Sequence, residues 1–170
     1  MFDDAKTIGE LLLQRRMTLA VAESCTGGMM GAAITRVPGS SAYFKGGVIA
    51  YSNEIKEKVL GVSPELLKSK GAVSREVAIA MAKGGANVCA ASCCIALSGI
   101  AGPDGGSVDK PVGLVWIGIC VGEHVKSFKC NFSGDREEIR KEATKAGLKC
   151  LFELLQDNSN LETLICPQAG

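Results

Sequence analysis

The chain has 170 residues, enough for one domain built round a single core. Lysine and arginine number 19 against 18 aspartates and glutamates, a formal net charge of +1, so no broad field exists to hold a polyanion and no nucleic-acid partner is expected. Hydrophobic residues make up 46 % of the chain, yet no apolar run approaches the roughly 20 residues that span a bilayer, and Met1 leads into Asp3 and Asp4 rather than a secretory leader. The expectation is a soluble, cytoplasmic protein with no membrane partner.

Ile8, Leu11, Leu12 and Arg15 recur at helical spacing after Asp3 and predict an amphipathic helix over about residues 4 to 15. Leu19-Ala20-Val21-Ala22 has the pattern of a buried strand. It empties into Glu23-Ser24-Cys25-Thr26-Gly27-Gly28 before an apolar helix that runs to Arg36. Gly46 to Tyr51 reads as a second strand, and Asn53 can cap a helix through Val59 with Gly61 as its stop. Ser63-Pro64-Glu65 opens another short helix, and Ser74 caps one that runs to about Asn87. Cys93 to Ser98 is a strand feeding the glycine-rich loop Gly99 to Gly106. Val112 to Val121 is a longer strand, joined through a Gly122-Glu123 turn to Val125–Cys130. Asp135 and Glu138 stand in capping-box relation at the head of a last helix that continues to about Leu155. Strands alternating with helices, plus one late hairpin, predict a three-layer α/β/α domain with a mixed, mostly parallel central sheet over residues 1–156, followed by a tail over 157–170.

Eight cysteines invite a disulfide or metal reading, but a cytoplasmic chain disfavours the first. The second fails on spacing, since there is no C-x-x-C pair and His124 is the only histidine. Most of these sulfurs lie in apolar strands, where cysteine packs as a small hydrophobe. His124, beside a hairpin turn, is badly placed for a Ser-His-Asp or Cys-His arrangement, and neither a P-loop nor a G-x-G-x-x-G follows any strand. A base working near neutral pH must then come from lysine, a carboxylate, tyrosine or cysteine.

Three polar clusters sit near strand ends, where open α/β sheets bind ligands. In Glu23 to Gly28 the glycines let backbone approach a ligand and the next helix offers free N–H groups to an anion; equally, Ser24 or Thr26 simply caps that helix. In the second cluster Ser41, Tyr51 and Lys56 can share one end of the sheet, and lysine serves as a base when burial lowers its pKa; the plain reading is a turn serine and a solvated lysine. The third joins Ser98 and the Gly99–Gly106 loop to Arg136, which can clamp a phosphate or pair with a nearby carboxylate.

Taken together, Ala22-Glu23-Ser24-Cys25-Thr26-Gly27-Gly28, Gly39-Ser40-Ser41, Tyr51-Ser52-Asn53-Glu54 with Lys56, Gly71-Ala72-Val73-Ser74, Ser98 to Gly106, Lys110-Pro111-Val112-Gly113 and Phe132-Ser133-Gly134-Asp135-Arg136 resemble the signature of the CinA C-terminal domain family, the nicotinamide-nucleotide amidases. The resemblance runs from about residue 7 to 155. It implies hydrolysis of the nicotinamide mononucleotide carboxamide to nicotinic acid mononucleotide and ammonia, without metal or cofactor. It also implies Ser41 as nucleophile, Lys56 as general base and Tyr51 as a proton-relaying partner. Ser24, Thr26, Gly27, Gly28, Asn53, Ser98, Gly99, Gly102 and Arg136 are implied to contact substrate. The resemblance also implies a stand-alone amidase unit, the expectation being that the larger domain to which family members are also fused is missing. A homodimer is the default expectation from symmetry. Two competitors accompany this reading. In one, Cys25 is the nucleophile, its pKa lowered by the helix that follows. In the other, the chain is a pyridine-nucleotide-binding or competence-related partner module without turnover.

Overall fold

A computed structural model describes residues 2–156; the expected tail, with Cys166, lies outside the described residues. The first helix, α1 (Phe2–Gln14), leads to β1 (Leu19–Glu23), α2 (Met29–Thr35), a 3-10 turn at Ser40–Ala42 and β2 (Phe44–Ile49). Three helices follow, α3 (Asn53–Lys58), α4 (Pro64–Lys70) and α5 (Arg75–Cys89). The chain then forms β3 (Cys93–Gly99), the hairpin β4 (Leu114–Val121) and β5 (His124–Asn131), and the long α6 (Arg136–Gln156). The sheet order is β2-β1-β3-β4-β5. β1 pairs in parallel with β2 and β3, and β4 is antiparallel to both of its neighbours, so four of the five strands point the same way.

The period-two alternation of the buried strands sorts their side chains by size. Leu19 and Val21 of β1, Cys93, Ile95 and Leu97 of β3, and Val115, Ile117, Ile119 and Val121 of β4 face a core shared with α1, α2 and α6. Ala20, Ala22, Cys94, Ala96 and Cys120 face the opposite core, built with α4 and α5. Small residues on that second face let α5 come close: a Cβ on Gly85 would lie 2.6 Å from Cys94 Sγ, and one on Gly118 would strike the Ala78 carbonyl oxygen. The obstacle to Gly118 is backbone and cannot swing aside. We therefore expect Gly118→Ala to destabilise the domain by about 1–3 kcal/mol, an overpacking cost that a urea unfolding midpoint reads directly. Burial raises the thiol pKa of Cys93 to about 12 and that of Cys94 well above its ordinary value, as befits packing groups.

Caps fix the helix starts. Ser63 Oγ accepts from Leu66 N and Ser74 Oγ from Val77 N. Asp135 and Glu138 exchange bonds, Glu138 N to Asp135 Oδ1 at 2.9 Å and Asp135 N to Glu138 Oε2 at 2.8 Å. Several boundaries differ from the sequence reading, most of all in α3, β2 and β4. Ser52, not Asn53, caps α3, because its Oγ accepts from Ile55 N. β2 begins at Phe44 and ends at Ile49, a register set by its pairing with β1 from Leu19 to Glu23. β4 starts at Leu114 rather than Val112, since Gly113 takes φ 94° in a turn closed by Leu114 N to the Pro111 carbonyl.

Candidate active site

β1, β2 and β3 end together: Glu23 is level with Ile49 on one side and Leu97 on the other. Ser24 is the first residue beyond β1. Its N–H donates to the Leu97 carbonyl, and the Glu23 carbonyl beside it accepts from Ala50 N, so the serine backbone is pinned between both neighbours. Lys56, one turn into α3, points back over the same edge and is 1 % exposed.

Its Nζ has three partners: the Ala50 carbonyl at 2.8 Å, Ser24 Oγ at 3.2 Å and the Tyr51 carbonyl at 3.3 Å. None of them is a carboxylate. Burial therefore acts without a counter-charge, and it holds the Lys56 pKa below the ordinary lysine value, only partly offset by the neighbouring Cys25. A neutral amine has two N–H donors and one lone pair. In that form two carbonyls would take the donors and the lone pair would be left for the Ser24 hydroxyl.

The pair opens into a cavity of about 300 Å³ lined by Ser24, Cys25, Tyr51, Asn53, Lys56 and Ser98, and on its far wall by Gly99 to Gly102, Asp104, Gly105 and Arg136. Ser98 is buried and donates to the Ala72 carbonyl at 2.7 Å, fixing the loop before α5 against the end of β3. Arg136, at the start of α6, crosses the mouth. Its Nη1 donates to the Gly102 carbonyl at 2.7 Å and its Nη2 to the Tyr51 hydroxyl at 2.9 Å.

Four expectations are corrected. Ser41 does not meet Lys56. It lies exposed in the turn before β2, whereas Lys56 follows that strand, and six strand residues put about 20 Å between the two ends. Tyr51 supplies a main-chain carbonyl to Lys56, while its ring is 59 % exposed with its hydroxyl turned to Arg136; it does not bridge the serine and the lysine. Thr26, Gly27 and Gly28 do not line the cavity: Thr26 is wholly buried, and the amides at the head of α2 are taken by the protein's own Glu23. Cys25 is buried beside the site with its thiol pushed up to about 11, chiefly by desolvation, the reverse of what a nucleophilic cysteine needs. Alkylation of Cys25 in the folded protein is accordingly expected to be slow, which iodoacetamide treatment followed by peptide mass mapping checks.

The sequence reading passed over Ala72 and Val73 as site residues; Asp104, within the Gly99–Gly106 loop, is the one carboxylate among the lining residues. Ala72 and Val73 precede a helix cap rather than following a strand, so no strand-end argument would have found them. Among the described residues no cluster of three or more His, Cys, Asp or Glu side chains is arranged to hold a metal, and no helix is long and apolar enough to cross a membrane.

A three-layer α/β/α domain with a polar pocket at the carboxyl ends of its parallel strands is a fold with solved relatives. A competence/damage inducible protein from Agrobacterium tumefaciens superposes with a TM-score of 0.88 at 37 % identity, covering 91 % of this chain and 94 % of that one. A competence damage-inducible protein A from Klebsiella pneumoniae does so at 0.89 and 32 % identity, covering 92 % and 98 %. The CinA C-terminal domain profile matches residues 3–155, and the chain belongs to that family. CinA-like proteins of Endomicrobium trichonymphae and Thermotoga maritima are 49 % and 46 % identical over 147 and 151 residues, or 86 % and 89 % of this chain. The chain spans only 34 % and 37 % of their lengths, about a third of the curated relatives it matches.

Proposed function

We propose that this domain is an amidohydrolase that removes the carboxamide nitrogen of nicotinamide mononucleotide, with Ser24 as nucleophile and Lys56 as general base. The observation that carries the reading is the approach of a buried lysine amine to a serine hydroxyl at 3.2 Å, with main-chain carbonyls as the amine's other partners. Folding alone gives no reason to bury a lysine without a counter-ion, whereas a base working near neutral pH requires it.

In this reading Ser24 Oγ attacks the carboxamide carbon while its proton passes to Lys56 Nζ. The tetrahedral oxyanion is met by main-chain N–H groups of the turn that begins at Ser24, where Cys25 lines the cavity. Lys56 returns the proton to the departing nitrogen, which leaves as ammonia. Water, deprotonated by the same amine, then cleaves the ester and restores the serine. A cationic pyridinium ring in the cavity further disfavours ammonium at Lys56. Arg136 keeps guanidinium donors beyond the two it spends on Gly102 and Tyr51, and these suit a phosphate at the mouth. A cavity of about 300 Å³ lies at the small end of ligand sites, in keeping with a mononucleotide rather than a dinucleotide.

The resemblance to amidases supports the substrate; the names of the two solved relatives speak of competence and damage induction, not of a reaction. The test is ammonia release from nicotinamide mononucleotide, run with and without EDTA. Release at the same rate in both supports the reading. Calorimetric binding without release would select a binding module instead.

A further inference from the structure

Glu23 is an unusual residue with which to end a buried strand. It is 1 % exposed, and burying a carboxylate is costly unless hydrogen bonds satisfy it. They do: Oε2 accepts from Gly28 N at 3.0 Å and Met30 N at 3.1 Å, and Oε1 from Gly31 N at 2.9 Å. The carboxylate thus reaches forward under the turn that follows Ser24 and closes it from inside. A neutral N-cap of the kind at Ser63 or Ser74 satisfies a helix start with one acceptor and no buried charge, so capping alone does not call for this arrangement.

The turn is also gripped from outside. Arg140 of α6 donates from Nη2 to the Thr26 carbonyl at 2.8 Å, while Gly27 N returns to the Ser24 carbonyl at 3.1 Å. One acidic group ties the end of the turn at Gly28 to the α2 amides of Met30 and Gly31, and one basic group takes the Thr26 carbonyl, so the turn that begins at Ser24 is held at both points. The pleat helps, because Glu23 and Ser24 project to opposite faces: Glu23 lies with Val21 over α2, and Ser24 lies toward α3.

We propose that Glu23 is a positioning residue for hydrolysis, holding the 24–28 turn so that Ser24 Oγ is presented to Lys56. The proposal rests on the reading of Ser24 as nucleophile. It predicts that loosening this grip slows attack by Ser24 rather than weakening binding or lowering the amount of folded protein.

A fluorophosphonate that phosphonylates activated serines, with displacement of fluoride, tests this without depending on the identity of the natural substrate. Ser24 labelling is followed by intact mass and peptide mapping over a range of probe concentrations, in wild type, Glu23→Gln and Glu23→Asp. The first variant keeps the shape and loses the charge. The second keeps the charge and withdraws it by one methylene from the α2 amides. Whichever variant folds, judged by circular dichroism, should label to full stoichiometry with a limiting rate constant roughly tenfold to a hundredfold lower and a half-saturating concentration within about twofold. Reduced stoichiometry at an unchanged rate constant would mean a purely structural role and overturn the proposal, as would a wild-type rate in a folded variant. Failure of both variants to fold would equally assign Glu23 to folding rather than positioning. If wild type itself is not labelled at Ser24, the hydrolase reading falls, and this proposal with it.

Discussion

Ser24→Ala is expected to lower ammonia release from nicotinamide mononucleotide by at least about a thousandfold, while Ser41→Ala leaves it within about twofold, because removing a covalent nucleophile forfeits the acyl-enzyme route and removing an exposed turn hydroxyl forfeits nothing in the site. The contrast is sharp because the two serines occupy opposite ends of adjacent strands: Ser24 follows β1, and Ser41 precedes β2. Ser24→Ala also deletes only one of the three partners of Lys56 Nζ, with the Ala50 and Tyr51 carbonyls still in place. Its thermal midpoint should stay close to wild type, so lost activity cannot be assigned to lost fold. Steady-state assays on the two variants and wild type, with melting curves alongside, settle the matter. Full activity in Ser24→Ala would remove the serine–lysine mechanism altogether.

The fold was legible because each strand and helix carries its own signal. Leu19 to Ala22 and Cys93 to Ser98 are apolar runs of strand length bounded by polar or glycine-rich turns, and Ser63, Ser74 and the Asp135/Glu138 pair announce helix starts. Boundaries slipped where pairing decides them, as at β2, whose span is set by its register against β1. Much of the site was legible too, in that Lys56, Asn53, Ser98, Gly99, Gly102 and Arg136 all line one cavity. The choice of serine was not. The family resemblance implies Ser41, which sits in the turn before β2, while the serine that meets Lys56 is Ser24. Yet the rule that sites form beyond the carboxyl ends of parallel strands, followed strictly, selects Ser24, since Ser41 comes before its strand.

Glu23 was opaque for a different reason. Its partners are main-chain amides of residues 28, 30 and 31, which have no side-chain signature in sequence. What the sequence does contain is the parity of the strand. A glutamate one residue before Ser24 would, on the same face, be a natural counter-ion for Lys56 and would raise the lysine pKa instead of letting it fall. The pleat sends Glu23 to the α2 side, and the hydrogen bonds of the two groups share no partner. One alternation thus accomplishes two things: it anchors the turn with a full charge and leaves the amine free of one. The Gly31 position completes the separation, because a Cβ there would already stand 3.5 Å from Glu23 Oε1, and a larger residue would crowd the carboxylate.

Lys56→Arg should be inactive, at a loss again of about a thousandfold or more, since a guanidinium keeps its proton across the working range and has no lone pair to offer. In wild type the rate should rise with pH along a single limb that reports deprotonation of Lys56, at a pH below the ordinary lysine value of 10.5. The same displacement has a thermodynamic signature. In the native state Lys56 releases its proton below 10.5, whereas in the unfolded chain it holds it until about 10.5, so between the two values the unfolded state binds more protons and folding is favoured as pH rises. The stability of wild type relative to Lys56→Met, which has no proton to release, should therefore be level at low pH. It should climb through the window between the native Lys56 value and 10.5, and level off above it. Urea titrations of both proteins at intervals across that range measure the difference directly, with shared effects of other titrating groups cancelling. A difference that stays flat, or falls as pH rises, would mean that the amine is charged in the folded protein and unable to act as the base.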